Sequence, residues 1–231
     1  MLQNSNQSCW QYRIPWLEHT SLWMITDILS ARGRALSDIA VDGIRGGVDV
    51  VVVRLKGLDM DFVKHKANAV AEVCEKMNTP WVLSHNVELV GELKPDGVQL
   101  GKSDPPVNEV RLMVGDETAI GYSAHTVEEI AFAAGLGADY CWFSPIFDTR
   151  KGDSIVKGIG LDAVKQANIA ADAIGKAGNP FPVVFLGGIT PDNAELIVRC
   201  GGARIAAISA LCGSDDIENV ARLMKTKLAK E

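Results

Sequence analysis

Polar side chains with chemical potential stand just after short apolar runs at several points of this chain. Arg54 and Lys56 close one run as Val53-Arg54-Leu55-Lys56-Gly57. Two cations one residue apart at a strand exit project to the same side, because side chains alternate with a period of two. Together they suit the oxygens of a phosphate or diphosphate, with Arg binding in a bidentate manner; a solvated loop with two charges is the plainer alternative. Ser84-His85-Asn86 ends the next run. With no second His or Cys at ligand spacing, His85 is expected as a hydrogen-bonded structural group. Gly101-Lys102-Ser103-Asp104-Pro105-Pro106 follows another. Here Asp104 could cap a helix or hold Mg2+ through one carboxylate, with water and substrate phosphate completing the shell, and the local sequence leaves both open.

Further along, Gly121-Tyr122-Ser123-Ala124-His125-Thr126 places a hydroxyl and an imidazole at one strand exit. An imidazole is the usual general acid or base near neutral pH, which makes His125 a candidate for that role. Phe143 to Gly152 leads into a segment, 148–160, with several cations, glycines and serines and no helical pattern. A loop of that length is usually functional, often a lid, and Thr149 and Lys151 are its candidate anion ligands. Gly187-Gly188-Ile189-Thr190-Pro191 and Ala206-Ala207-Ile208-Ser209-Ala210 carry the strongest physical signal. Glycine lets backbone N–H groups approach an anion closely, and Ser209 adds a hydroxyl donor, at the usual phosphate position of a (β/α)8 barrel. A tight turn that needs glycine for its backbone angles is the alternative.

Something must bring these segments together. Short β-rich runs at 22–26, 48–54, 81–84, 97–100, 119–122, 140–144, 183–186 and 205–209 alternate with helical patterns such as 61–77, 127–136, 161–176 and 215–228. Strands apolar at nearly every position, joined by helices, predict a closed parallel sheet, a single (β/α)8 TIM barrel over 21–231 with an N-terminal extension over 1–20, with a doubly wound open sheet as the competitor. In that extension Trp10, Tyr12, Ile14 and Trp16 alternate, as in a capping strand across the barrel bottom; a partly ordered tail fits equally. Three phrases, Gly46-Gly47-Val48-Asp49, Leu136-Gly137-Ala138-Asp139 and Cys200-Gly201-Gly202-Ala203, each end a helix in glycine and open a strand.

A net charge of −6 without a long basic run argues against nucleic acid or an anionic membrane surface as partner. Small phosphorylated substrates need only local positive groups. The five cysteines are scattered without ligand or disulfide spacing, as for reduced thiols, and no signal segment or membrane span is apparent. A cytoplasmic protein is expected.

Taken in order, 23–27, 47–56, 96–104, 121–126, 138–149, 186–193 and 205–210 resemble thiamine phosphate synthase and its relative, the TenI-type thiazole tautomerase. The resemblance spans most of 22–211. It implies a transferase that joins a hydroxymethylpyrimidine pyrophosphate to a thiazole phosphate and releases pyrophosphate. It implies Arg54 and Lys56 on the pyrophosphate, Asp104 on Mg2+, and Ser123 beside the reacting pyrimidine or the departing pyrophosphate. Thr149 and Lys151 would complete the anion site, and Gly187, Gly188, Ile208 and Ser209 would hold the thiazole phosphate. Ser123, His125 and Lys151 become the candidate catalytic residues, with Ser84 and Lys102 among the substrate contacts. Family members self-associate, so a homo-oligomer is expected.

The chain departs from the family pattern where the pyrophosphate would sit. Val52 replaces a Gln, Ser84-His85 replaces an Asn-Asp pair, and Lys102 replaces another Gln. Trp142 and Ser144 stand at small positions, and a Thr-x-Thr-Lys phrase is shortened to Thr149-Arg150-Lys151. Imidazole is a poor substitute for carboxylate on Mg2+, while Lys102 and Arg150 could compensate by charge. Two alternatives therefore accompany the synthase: a tautomerase using His125 without metal, and a non-catalytic barrel that binds a phosphorylated thiamine-related metabolite.

Overall fold

A computed structural model describes residues 14–152, 154–175 and 179–229. Its centre is a closed barrel of eight parallel strands: β1 (Leu22–Thr26), β2 (Val50–Arg54), β3 (Trp81–Ser84), β4 (Gly97–Leu100), β5 (Ala119–Ala124), β6 (Tyr140–Phe143), β9 (Val183–Phe185) and β10 (Ile205–Ala207). Between β6 and β9 a hairpin of β7 (Thr149–Lys151) and β8 (Ser154–Val156) stands apart from the barrel sheet. The expected (β/α)8 architecture is the observed one. Strand bounds differ from the pattern by a few residues at their ends. At the last strand, Ser209 opens a short helix, Ser209–Cys212, instead of continuing the strand.

These segments form strands for local reasons. Val50 to Val53 are consecutive β-branched residues, stiff at χ1 and suited to the pleated sheet, and all four are fully buried. Burial on both faces is what a parallel sheet wrapped by helices requires. Helices Met60–Lys76, Val127–Gly135 and Ile217–Leu228 each start at a side-chain cap, from Asp59, Thr126 and Asp216 respectively.

Register shows which side chains point inward. Trp23 on β1 and Tyr140 on β6 belong to strands that do not pair, yet their rings lie 5.0 Å apart, so both face the barrel interior. Pairing carries that direction around the sheet through Trp23 with Val50, Val52 with Val82, Arg54 with Ser84, Ser84 with Gln99 and Gln99 with Gly121. It continues through Gly121 with Tyr140, Ser123 with Trp142 and Trp142 with Val184. The interior is filled with side chains, as in other barrels of this size. At Gly121 it is so full that a Cβ would lie 2.2 Å from the Tyr140 ring.

The amino ends of the strands are joined by one device used three times. Leu22 donates its N–H to Asp49 Oδ2 at 2.8 Å while Asp49 N–H donates to Leu22 O. Trp81 with Asp96, and Ile120 with Asp139, repeat the same reciprocal pair. Each aspartate stands just before a strand and completes an N–H at the start of the neighbouring strand, the first of β1 and β3 and the second of β5. Two of them also hold cations: Asp49 binds Lys225 of the last helix, and the fully buried Asp139 binds Arg111. Below this ring the 3-10 turn Pro15–His19 inserts Leu17, packs Trp16 5.8 Å from Trp23, and receives Arg204 on Leu17 O. The part of the N-terminal extension that is described is thus a turn and not a strand; Trp10 and Tyr12 lie outside the described residues.

Cys74, Cys141 and Cys212 are buried and unpaired, and burial pushes the Cys74 thiol up to about 12 and that of Cys141 higher. Such thiols are inert. Among the described residues no helix is long and apolar enough to cross a membrane.

Removing Asp139 leaves Arg111 without its carboxylate and Ile120 N–H without its acceptor. Asp139→Ala is expected to cost about 3–5 kcal/mol, the usual loss on breaking a buried pair. Urea unfolding followed by tryptophan fluorescence measures it, and a loss below about 1 kcal/mol would place the pair with weak surface contacts.

Candidate active site at the carboxyl ends of the strands

At the carboxyl end of the barrel the inward layer turns polar. Arg54, Ser84, Gln99 and Ser123 follow one another around β2 to β5 on the interior face, and Trp142 closes the row on β6. Gln99 Nε2 donates to Ser123 Oγ at 3.1 Å, which fixes the serine hydroxyl at the mouth. Trp142, at a position the family resemblance leaves small, is 5 % exposed and fills the space beside Ser123.

Arg54 and Lys56 do not run parallel as their spacing predicts. Arg54, the last residue of β2, turns toward β1, where its Nη1 lies 3.6 Å from Asp27 Oδ1. Lys56 lies in the turn beyond the strand, so the alternation no longer governs it, and its Nζ donates to Ser103 Oγ at 2.9 Å. The lysine therefore bridges from the β2 exit to the β4 loop, across the end of β3. Lys102 is exposed on that same loop.

Asp104 is not a helix cap. The following helix, Val107–Val114, has Pro106 at its N-cap position. Asp104 Oδ2 instead accepts Gly101 N–H at 2.7 Å and lies 2.5 Å from His85 Nδ1. His85 and Asn86 both adopt left-handed backbone angles, φ 63° and 51°, uncommon for non-glycine residues. That kink turns the His85 ring back toward Asp104, and His85 N–H bonds Gln99 O at 2.9 Å. Among the described residues no group of three or more His, Cys, Asp or Glu is placed to hold a metal ion.

His125 faces a different space. Its Nδ1 lies 2.7 Å from Ser144 O, and a carbonyl only accepts, so Nδ1 carries the proton. The ring lines a cavity of about 400 Å3 with Glu128, Phe143, Ile159 and Gln166, beside the helices that follow β5 and precede β9. Phe143 belongs to the outward set of β6, packed edge-on against Phe185. His125 thus shares a wall with residues outside the sheet, while Ser123, two residues earlier, stays inside.

The segment expected as an irregular lid forms the β7–β8 hairpin. Asp148 Oδ1 closes its base on Gly158 N–H at 2.7 Å, and Ile155 stands 70 % exposed near its tip. Thr149 opens β7; the Lys151 side chain lies outside the described residues.

Gly187 and Gly188 have φ 95° and 66°, so both alternatives raised by their sequence apply: the turn demands glycine, and the same turn leaves backbone exposed. Among the described residues neither N–H has a backbone acceptor. Asn193 staples the loop, taking Thr190 N–H on Oδ1 at 2.8 Å and donating to Gly188 O at 2.9 Å. Ser209 is exposed at the start of Ser209–Cys212. Arg34 holds that helix end, donating to Cys212 O and Ser214 O at 2.6 Å each. Arg34 left no signal in the sequence, because it acts on backbone carbonyls about 180 residues away along the chain. Gln99 left a readable signal, a polar residue inside an apolar strand.

A barrel whose carboxyl face gathers cations, hydroxyls and glycine N–H groups on several strand exits belongs to the class of barrel enzymes that handle small phosphorylated molecules. Residues 22–211 match the family model described as thiamine monophosphate synthase, and the chain belongs to that family. It is similar to the thiamine-phosphate synthase of Clostridium novyi, 32% identical over 203 residues, which cover 88% of this chain and 96% of that one. The thiamine-phosphate synthase of Methanoculleus marisnigri is 32% identical over 208 residues, 90% of this chain and 95% of the other. Among solved structures, thiamine phosphate pyrophosphorylase from Pyrococcus furiosus superposes with TM-score 0.79 at 24% identity, covering 92% and 96% of the two chains, a likeness of fold.

Gly188→Ala tests the loop after β9. Its Cβ would lie 2.5 Å from Asp148 O, and the left-handed conformation alone costs a side chain about 1–3 kcal/mol. Thermal denaturation is expected to show at least that loss; an unchanged midpoint would mean the loop accommodates a side chain.

Proposed function

We propose that this barrel couples a hydroxymethylpyrimidine pyrophosphate to a thiazole phosphate, forming thiamine phosphate and releasing pyrophosphate. The observation that carries the reading is the presence of two separate anion-binding poles on one mouth. Arg54, Lys56 and Lys102 sit on the exits of β2 and β4, whereas Gly187, Gly188, Ile208 and Ser209 sit on those of β9 and β10. Strand β1 separates the poles on one side, and β5 and β6 on the other. A reaction between two phosphorylated substrates needs such a pair of anchors, each fixing one partner by the end that does not react with the other.

In this scheme the thiazole ring nitrogen takes the pyrimidine methylene carbon, the new C–N bond replaces the C–O bond, and both electrons of that C–O bond leave with pyrophosphate. The cations hold the leaving group as its charge grows, which is electrostatic stabilisation of the transition state. The anchors place the reacting atoms in line and convert a bimolecular encounter into an oriented one. Ser123, inward and fixed by Gln99, is the residue next to the reacting ring. Ser84 stands on the pyrophosphate side next to Arg54, and the family resemblance assigns Thr149 and Lys151 to the anion site. His125 is turned toward the outer cavity with its Nδ1 proton on Ser144 O, so the synthase reading is favoured over a tautomerase in which His125 would move the proton.

The Mg2+ expected at Asp104 is not matched by the donors around it. One Asp104 oxygen is occupied by two N–H groups, and the nearest additional donor is an imidazole nitrogen. Mg2+ takes an octahedron of oxygens. No step is assigned to a metal.

Formation of thiamine phosphate from the purified protein and both substrates is the test. Ser209→Ala is expected to raise KM for the thiazole phosphate about 10-fold, as for a lost charge-assisted hydrogen bond, and to leave KM for the pyrimidine substrate unchanged. Lys56→Ala should do the reverse. No product, with thiazole phosphate still bound, would remove the synthase reading and leave a tautomerase or a binding protein.

A further inference from the structure

We infer that the mouth formed by β2, β3 and β4 takes a diphosphate directly on protein cations and donors, with His85 and Asp104 locked as a pair and no bridging divalent ion. The inference rests on the proposed function for the identity of the substrate that carries the diphosphate; the anion site itself is argued from the residues below.

Asp104 is committed. Its Oδ2 receives Gly101 N–H and His85 Nδ1, and the two side chains are only 13 % and 15 % exposed. Gly101 stands beside the same edge of the His85 ring, where a Cβ would lie 3.2 Å from His85 Cε1 and 3.7 Å from Asp104 Oδ2. A divalent ion on Asp104 would have to share the carboxylate with these donors or displace a ring that the left-handed backbone turns onto it. Asp27, which follows β1 at this end of the barrel, is occupied as well: it accepts Ser30 N–H and Ser30 Oγ–H, each at 3.0 Å, and pairs with Arg54.

Positive groups and spare donors surround that pair. Lys56 is tied to Ser103 on the loop that carries Lys102, which draws the two lysines to one side of the mouth. Asn86 Nδ2, in the same turn as His85, is buried and has no acceptor among the described residues. A buried donor of that kind is rarely left unsatisfied. Cations and N–H donors suit phosphate oxygens; they do not suit a metal ion.

Binding of inorganic pyrophosphate to the full chain, measured by isothermal titration in EDTA and again with excess Mg2+, tests this. Affinity in EDTA is expected to be at least equal to that with Mg2+, to fall with salt, and to drop about 10-fold or more in Lys56→Ala and Lys102→Ala, for the loss of charged hydrogen bonds. In His85→Asp, which places a second carboxylate where αL backbone tolerates Asp, Mg2+ alone should raise the melting temperature; wild type should show no such shift. Pyrophosphate binding that appears only with Mg2+ would overturn the inference, as would a Mg2+ shift in wild type, or lysine variants that bind as well as wild type. Should pyrophosphate bind in EDTA while the two substrates give no product, the proposed reaction fails and this anion site stands.

Discussion

A parallel barrel has to satisfy the first N–H of strands whose neighbours enter at staggered heights, and here aspartate carboxylates do so. Asp49 and Asp96 accept the leading N–H of β1 and β3, Asp139 accepts the second N–H of β5, and each returns its own N–H to the same residue. Each clamp locks two adjacent strands in one register. Because side chains alternate along a strand, a slip of one residue would turn every inward group outward. The direction of Arg54, Ser84, Gln99 and Ser123 at the far end of the barrel therefore depends on hydrogen bonds made at its foot. Lys225 and Arg111 extend two of the clamps to surrounding helices, so the helical layer is tied to the same positions.

With register set, the mouth separates into three regions of different chemistry. The β2–β4 side is cationic and carries the locked His85–Asp104 pair. The β9–β10 side offers glycine backbone, Ser209 and a loop stapled by Asn193. Between them the interior is crowded by Trp142 and fixed by the Gln99–Ser123 bond. A negatively charged protein can still concentrate anions at this face, because local charge at short range outweighs the distant net charge under physiological screening. The departures at Val52, Ser84 and His85 fall on the β2–β4 side and that at Trp142 between the two sides, while the β9–β10 side keeps its glycines.

Much of this architecture was legible in the order of residues. Apolar runs with helical patterns between them specify a parallel closed sheet, since only helices on the outer face and a packed interior bury such strands on both sides. The glycine phrase after β9 marked a turn with φ above zero, which calls for glycine. The two phrases ending in Asp49 and Asp139 were visible as a rhythm of helix end and strand start. That the aspartates complete the neighbouring strands was not visible, for their partners lie about twenty or more residues away in sequence.

Other features depended on three-dimensional placement. Spacing put Arg54 and Lys56 on one side, but the strand ends at Arg54, and the two cations diverge toward Asp27 and Ser103. Sequence left Asp104 open between cap and metal ligand; only the left-handed turn at His85 and Asn86 brings the imidazole onto it. Ser123 and His125 read as one site, yet register keeps the serine inside while the histidine shares an outer cavity with Phe143. The sequence by itself determined the fold and the chemical types at each strand exit, because periodicity and backbone preference are local. Which of those groups meet, and which carboxylate is left for a cation, was decided by tertiary structure, because hydrogen-bond partners are chosen by proximity in space.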